Sequence, residues 1–213
     1  SDCFYIKNTV RGNYLEWYAD KGNWSSFSKI GDEALFAQQF YLVVDDGSDT
    51  PAGGLPEAGS EVVIYNANAA AVLAAQDSNT DSPSILKAAA TIQDGKASCA
   101  NGAVVFTVEK NGDYYRFYNK TYGYLCANGT GNNAFYTQTA SEDADWLIRT
   151  CSGGVGGFEM ESRTAKFNGK HSQWLEYYND SFKVYSMYNV TDYTIYSFNF
   201  YPAVGSTIVD GIV

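Results

Sequence analysis

The chain has 213 residues, of which 45% are hydrophobic and 16% aromatic, and its formal net charge is −10. This composition is apolar enough to bury a core, so it excludes a disordered chain. Nucleic acids and anionic lipid surfaces are bound mainly through clustered Lys and Arg, so the negative charge predicts neither a nucleic-acid partner nor a membrane partner. The sequence contains no apolar run of the roughly 20 residues that a membrane-spanning helix needs.

The chain is built from four similar units, each opening on a five-residue stretch of alternating apolar and polar residues. This alternation is typical of a half-buried β-strand, and each stretch ends on Asn or Ser, which form turns. The four stretches are Phe4–Asn8, Val62–Asn66, Tyr115–Asn119 and Phe158–Ser162. Each is followed by a turn and then by a leucine that we predict faces the core: Leu15, Leu73, Leu125 and Leu175.

The units close on a second strand that is rich in aromatic residues. These closing strands are predicted at 34–43, 103–110, 145–150 and 194–203. The stretch 68–76, NAAAVLAAQ, has a helix-like composition, but it aligns with strand positions of the other units and is therefore predicted as a strand. The fourth unit carries an insertion at 164–173. The sequence as a whole predicts an all-β fold.

A longer repeat lies over the short one. Residues 14–44 align without a gap onto residues 174–204, which gives a period of 160 residues. The segment 45–60 is rich in Gly, Pro, Ser and Asp and reads as a linker. We therefore predict that 61–203 is a complete three-unit domain.

On this division, residues 1–44 are the last unit of a preceding domain and 204–213 are a tail or the start of another linker. A single unit has too little core to be stable alone, so 1–44 is expected to pack on the main domain or to exchange with a second chain in domain-swapped self-association. The alternative division joins the first three units and leaves the fourth one spare.

Three units of about 45 residues, each with several short strands and a late aromatic residue, resemble a β-trefoil of the ricin-type lectin architecture. The late aromatic positions are Phe40, Phe106, Trp146 and Phe200. The Gln-x-Trp motif that ends each unit of those lectins is not complete here; its nearest counterpart is DADW at Asp143–Trp146. The resemblance therefore implies a β-trefoil-like architecture, with one extra unit from a tandem copy, but not the lectins' sugar chemistry.

The sequence from IKNTVRGNYLEWYAD to VVIYNA, residues 6–67, is similar to accessory modules of large secreted hydrolases of gut Firmicutes, including metallophosphoesterase and 5′-nucleotidase types, and the resemblance covers most of the chain. This resemblance implies a secreted or cell-wall-attached multidomain bacterial protein. The clustered His and Asp of the catalytic domains of those hydrolases have no counterpart here, so the resemblance implies a module without an activity of its own.

The candidate site is a seven-residue stretch that occurs twice, as YLEWYAD at 14–20 and as WLEYYND at 174–180. Strand alternation turns Leu15 and Leu175 to the core, so the opposite face carries aromatic rings and carboxylates. Aromatic rings stack on the apolar face of a sugar, and carboxylates accept hydrogen bonds from its hydroxyl groups. We predict a glycan-binding face, with Trp24 and Tyr185 at matching positions, made of Tyr14, Glu16, Tyr18, Asp20 and Trp24 in the first unit and of Trp174, Glu176, Tyr178, Asp180 and Tyr185 in the fourth.

Other interpretations of these residues stay open: they fill cross-strand pairs or pack under the following hairpin, or they contact a protein. The third unit keeps Tyr122, Tyr124 and Tyr136 but has no carboxylates, and the second unit has no aromatic residues at this place. The fourth unit is therefore the strongest candidate. The predicted function is a non-catalytic carbohydrate-binding accessory module, and the alternative is a structural spacer or protein-docking module without sugar affinity.

No catalytic residue, metal ligand or cofactor is predicted. Acidic residues four positions apart on a strand have Cα atoms about 13 Å apart, which is farther than the separation of the two carboxyl groups in a glycosidase. The one histidine, His171, is predicted to be a surface loop residue. The four cysteines contain no CxxC pair and there is one histidine, so the sequence does not predict a zinc site. Both disulfides and free buried thiols are compatible with Cys3, Cys99, Cys126 and Cys151.

Overall fold

A computed structural model describes residues 6–8, 10–18, 23–27 and 54–204. The chain divides into two compact units, Ser1–Asp46 and Gly47–Val213. The predicted first closing strand at 34–43 lies outside the described residues, as does most of the predicted linker. Near the end of that linker, the amide of Gly59 donates to the Val108 carbonyl at 2.8 Å. No helix within the described ranges is long and apolar enough to cross a bilayer.

The first unit contains an antiparallel hairpin of β1 (Tyr14–Tyr18) and β2 (Asn23–Phe27). Ahead of it, the Asn8 side-chain oxygen accepts from the backbone N–H groups of Val10 and Arg11, each at 3.0 Å. This is the turn that the sequence places after the first alternating stretch. Leu15 is half-buried.

The second compact unit, Gly47–Val213, contains fourteen strands within residues 54–204. They are β3 (Glu61–Asn66), β4 (Ala71–Gln76), β5 (Ile85–Gln93), β6 (Lys96–Cys99), β7 (Phe106–Asn111), β8 (Tyr114–Asn119), β9 (Gly123–Ala127), β10 (Ala134–Thr137), β11 (Trp146–Thr150), β12 (Phe158–Phe167), β13 (His171–Tyr178), β14 (Ser181–Tyr185), β15 (Phe198–Tyr201) and β16 (Ala203–Val204). Short 3-10 helices cover Glu142–Ala144, Ser152–Gly154 and Tyr193–Tyr196. The all-β prediction is confirmed, and the alanine-rich stretch forms β4 as predicted.

Six of these strands close into a barrel. The antiparallel pairings run from β3 to β7, β8, β11, β12 and β15, and β15 returns to β3. The pairs β4–β5, β9–β10 and β13–β14 form hairpins outside this ring. Each hairpin lies in the sequence between two ring strands, so three successive segments each supply two ring strands and one hairpin.

The barrel core holds equivalent side chains from the three segments. The leucines predicted to face the core, Leu73, Leu125 and Leu175, are fully buried, which confirms the prediction for these three segments. Of the late aromatic residues, Phe106 and Trp146 are completely buried and Phe200 is 4% exposed. The Trp146 indole N–H donates to the Leu125 carbonyl at 2.9 Å, which satisfies the one polar group that the ring brings into the core.

The residue that ends each alternating stretch is a buried hydrogen-bonding group. Asn66, Asn119 and Ser162 are at most 2% exposed. Their side-chain oxygens accept from backbone N–H groups two or three residues later. Their donor groups bond to carbonyls of a neighbouring segment: those of Ser197, Val105 and Ala127 respectively. The same polar contact thus fixes the turn after the first ring strand of each segment.

The first of the three segments differs from the others because its hairpin continues into a small additional sheet. The far end of β5 pairs with β6, and β6 pairs in parallel with β16. A separate cluster of small apolar residues fills the space beneath, with Ala88, Ala90 and Ala97 at 5% exposure or less.

Replacing Trp146 by Ala tests the barrel core. The change removes a completely buried ring and leaves the Leu125 carbonyl without its donor. We expect urea unfolding to show a loss of about 3–5 kcal/mol. The control Val155→Ala, at a position 40% exposed, should change stability by less than about 0.5 kcal/mol. Equal effects of the two changes would contradict the assignment of Trp146 to the core.

Candidate functional site

The site forms around the β13–β14 hairpin. Its two strands are joined by Asn179 and Asp180, whose φ angles of 49° and 62° are the left-handed pair of a type I′ turn. In the register of the hairpin Leu175 lies opposite Val184, and both are fully buried in the barrel core. The next pair, Glu176 and Lys183, therefore points to the other face.

Glu176 was predicted to point into solvent, but it is only 5% exposed. The prediction is wrong because the chain folds back over this face: the 3-10 helix Tyr193–Tyr196 packs against β13. The Tyr196 hydroxyl donates a hydrogen bond to the Glu176 carboxylate. Burial raises the pKa of Glu176, while the bond from Tyr196 and the charge of Lys183 act in the opposite direction. A carboxylate that is desolvated and held by one donor is well placed to accept another hydrogen bond.

Glu176 forms part of the lining of an open groove of about 670 Å³. The hairpin and the segment 186–192 form most of it, and the loops at 81–82 and 131–133 complete the rim. Three tyrosines in the groove, which we call the groove tyrosines, expose 56%, 37% and 66% of their surface: Tyr178, Tyr185 and Tyr188. Exposed aromatic rings that lie together in a concave surface are typical of a binding site rather than of a core.

Amide and charged groups line the same groove as these tyrosines. The amides belong to Asn132, Asn133, Asn179 and Asn189, and the charged groups to Asp81, Glu176, Lys183 and Asp192. Asn132 is supported from behind by the fully buried Gln173, whose Nε2 donates to Asn132 Oδ1 at 2.9 Å. Asp192 accepts from Thr194 N and Oγ1 at 2.9 and 2.6 Å, and these bonds lower the pKa of its carboxyl. Asp192 is therefore a fixed anion at the edge of the groove.

Two residues predicted in the fourth unit do not line the groove. Asp180 was predicted to share a face with Glu176, but β13 ends at Tyr178 and the turn redirects the chain, so strand alternation does not reach it. Its carboxylate instead accepts from Lys87 Nζ at 2.6 Å and from the Tyr177 hydroxyl at 3.0 Å. Trp174 is half-buried and pairs with Tyr185 across the hairpin, but it does not belong to the groove lining.

In the first unit the structure describes fewer of the predicted residues. Tyr14 is half-buried, with Lys7 Nζ 5.1 Å from its ring centroid, and Trp24 is 57% exposed. For Glu16 and Tyr18 the structure describes only the backbone, which belongs to β1. Asp20 lies outside the described residues. A site in this unit remains a prediction.

Trp24 and Tyr185 are not at matching positions, contrary to the prediction. Trp24 lies opposite Trp17 in its hairpin, whereas Tyr185 lies opposite Trp174. The 160-residue alignment itself matches Trp24 with Val184. The closing pairs of the two hairpins also differ, so equal sequence spacing does not place these two rings at equivalent points.

The tyrosines of the third unit have structural roles. Tyr122 and Tyr136 stack at 5.3 Å against the core, and the Tyr136 hydroxyl donates to the Ala74 carbonyl at 2.8 Å. Tyr124 packs on Tyr118 at 4.8 Å. Tyr124 and Tyr118 form a cross-strand pair, and Tyr122 and Tyr136 pack against the core.

His171 was predicted to lie in an insertion loop, but it is the first residue of β13. The insertion lengthens β12 and β13 into a longer hairpin, and the His171 ring lies 5.3 Å from that of Tyr188. Within residues 6–8, 10–18, 23–27 and 54–204, no three His, Cys, Asp or Glu side chains are grouped as metal ligands.

Cys99, Cys126 and Cys151 are free thiols, and Cys3 lies outside the described residues. Burial raises the pKa of Cys126 to about 12 and that of Cys151 to about 11. Thiols with such values are almost entirely protonated at neutral pH and make poor nucleophiles.

Several residues of the groove were missed in the sequence: Tyr188, Lys183, Asp192, Asp81, Asn132, Asn133 and Asn189. A tyrosine next to Asn in the turn-rich stretch at 186–192 is a usable signal for an exposed ring. The residues at 81–82 and 131–133 gave no such signal, because only the closure of the barrel brings them to the hairpin.

No protein-family model and no curated protein matches this chain. Among solved structures, the chain is similar to a protein titled BEL beta-trefoil, with 10% identity over 70% of this chain and 96% of that one and a TM-score of 0.49. It is similar to the Polyporus squamosus lectin, solved with a sialylated influenza-binding epitope, with 18% identity over 68% of this chain and 49% of that one and a TM-score of 0.43. It is similar to a Culex salivary protein of the Cysteine and Tryptophan-Rich family, with 20% identity over 70% of this chain and 99% of that one and a TM-score of 0.44. These likenesses are too remote to define a fold or a function.

The burial of Glu176 gives a testable pH dependence. A carboxyl whose pKa is raised on folding contributes fully to stability below its ordinary pKa of 4.5, and this contribution is lost as the pH rises through the folded value. Gln cannot ionise, so the Glu176→Gln variant does not lose this contribution. Its unfolding free energy, relative to that of the wild type, should therefore be higher at about pH 8 than at about pH 4. Urea unfolding at the two pH values measures this difference.

The control is Glu57→Gln, which removes one negative charge at an exposed position. The raised pKa would be contradicted if the unfolding free energy of Glu176→Gln, relative to the wild type, did not change with pH or decreased as the pH rises.

Proposed function

We propose that residues 61–203 form a β-trefoil and that the groove beside β13–β14 binds carbohydrate. Three features support the fold: a closed ring of six strands, one hairpin per segment, and the recurrence of a buried Asn or Ser at the end of each first ring strand. In this interpretation residues 1–44 come from a preceding copy. Asn8 supports it, because its oxygen accepts from residues two and three positions later, as Asn119 does.

The observation that carries the binding proposal is the grouping of the groove tyrosines with amide and carboxylate groups in one open groove. A sugar has apolar C–H faces and a rim of hydroxyl groups, and these need flat rings and directional donors and acceptors respectively. Tyrosine supplies both a ring and a hydroxyl. The asparagine amides can donate and accept at once, which suits hydroxyl groups that do the same.

Two of the groove tyrosines contact neighbouring rings. Tyr185 lies 6.0 Å from the Phe167 ring, and Tyr188 lies 5.3 Å from His171. Rings that are already positioned lose little conformational entropy when a ligand binds. A long, flexible ligand would benefit further from tandem copies, because the second contact is then intramolecular.

The proposed role is therefore that of a non-catalytic accessory module, which keeps a secreted or cell-wall-attached multidomain protein near a glycan. Residues 1–44 are proposed to pack on the main domain or to exchange between chains, and the molar mass in solution distinguishes the two. A spacer or protein-docking role without sugar affinity is favoured instead if no glycan binds.

The test is a screen of the purified chain on immobilised neutral, amino and acidic glycans, followed by calorimetric titration with the best ligand. Tyr185→Ala and Tyr188→Ala should each weaken binding about tenfold, or about 1.4 kcal/mol. The control Tyr118→Ala removes a tyrosine on the third unit, outside the groove, and should leave the affinity unchanged. Absence of binding to every glycan, or binding that neither groove variant weakens, would overturn the proposal.

A further inference from the structure

The charged side chains of the groove are unequal in number. Three carboxylates line it, those of Asp81, Glu176 and Asp192, against the single ammonium group of Lys183. Asp81 and Asp192, both exposed, outnumber Lys183 even without the buried Glu176.

None of these four groups takes part in a close ion pair among the described residues, although Glu176 and Lys183 are cross-strand neighbours. Among the described residues, the donors to Asp192 are the neutral N–H and hydroxyl groups of Thr194. A concave surface with low-dielectric walls concentrates the field of such charges, so a ligand in the groove meets a net negative potential.

The groove tyrosines act in the same direction. The face of an aromatic ring carries the negative part of its quadrupole and attracts a cation that lies over it. Three exposed rings beside three carboxylates are therefore a better environment for an ammonium group than for a carboxylate. A carboxylate in the ligand would be repelled by the groove carboxylates and would have Lys183 as its one cationic partner in the lining.

We propose, on the basis of the carbohydrate-binding function proposed above, that this groove selects amino sugars with a free ammonium group and discriminates against uronic acids and other anionic sugars. The expected order of affinity is amino sugar, then neutral sugar, then uronic acid. The ammonium group would lie among the groove tyrosines within reach of Asp81, Glu176 or Asp192, and the ring hydroxyls would bond to the asparagine amides.

The test uses matched triplets of immobilised β-glycosides: glucose, glucosamine and glucuronate, with the corresponding galactose and mannose sets. In about 50 mM salt the amino member should bind at least about tenfold better than the uronic member of the same set. Salt near 0.5 M should bring this ratio toward one, because screening weakens attraction and repulsion alike.

The double change Asp81→Asn and Asp192→Asn should reduce the ratio of amino to uronic binding several-fold. Asp113→Asn, at an exposed position in the β7–β8 turn, alters the net charge outside the groove and should leave the ratio unchanged. A uronic member that binds as well as or better than its amino counterpart overturns the charge selection while leaving sugar binding intact. Absence of binding to every triplet and every other glycan overturns both.

Discussion

The groove depends on one buried side chain, that of Asn66 at the end of β3. Its Nδ2 group lies 3.0–3.2 Å from the carbonyls of Thr194, Ile195 and Ser197, and its Oδ1 accepts from the Ala69 amide. A buried carbonyl without a donor costs roughly 1–3 kcal/mol, so this amide strongly favours a single position for the 3-10 helix. That helix carries Tyr196, which covers Glu176. The first strand of the barrel thereby positions the 3-10 helix Tyr193–Tyr196, which follows it by more than 120 residues and contributes Ile195 and Tyr196 to the groove.

The same polar contact recurs in each segment, but the groove lies on the third segment. The difference lies in the chain after the hairpin. In the third segment the stretch 186–192 lines the same groove as Tyr185 and contributes Tyr188 and Asp192 to it. In the second segment the tyrosines of the hairpin are used in packing, as shown by the stacking of Tyr122 on Tyr136. A shared framework therefore supports unequal surfaces, because its core is fixed by Leu and aromatic positions that do not extend to the loops.

Sequence reasoning succeeded where a short-range pattern determines the structure. Period-2 alternation and a recurring leucine predicted the strands and the burial of Leu73, Leu125 and Leu175. The composition of β4 is helix-like, but the alignment of the repeats predicted correctly that it is a strand. It failed where a distant segment changes the environment. Glu176 lies on the non-core face as alternation requires, yet residues 193–196 bury it. Asp180 was misplaced for a local reason, because a two-residue turn ends the alternation before it.

Mapping of backbone amide shifts during titration with the best-binding glycan tests the groove most directly, because it locates the contact without altering the protein. We predict that the largest shifts fall on residues 176–192 and on the loops at 81–82 and 131–133. Shifts confined to the β9–β10 hairpin or to residues 6–27, with the groove unaffected, would contradict a glycan site in the groove.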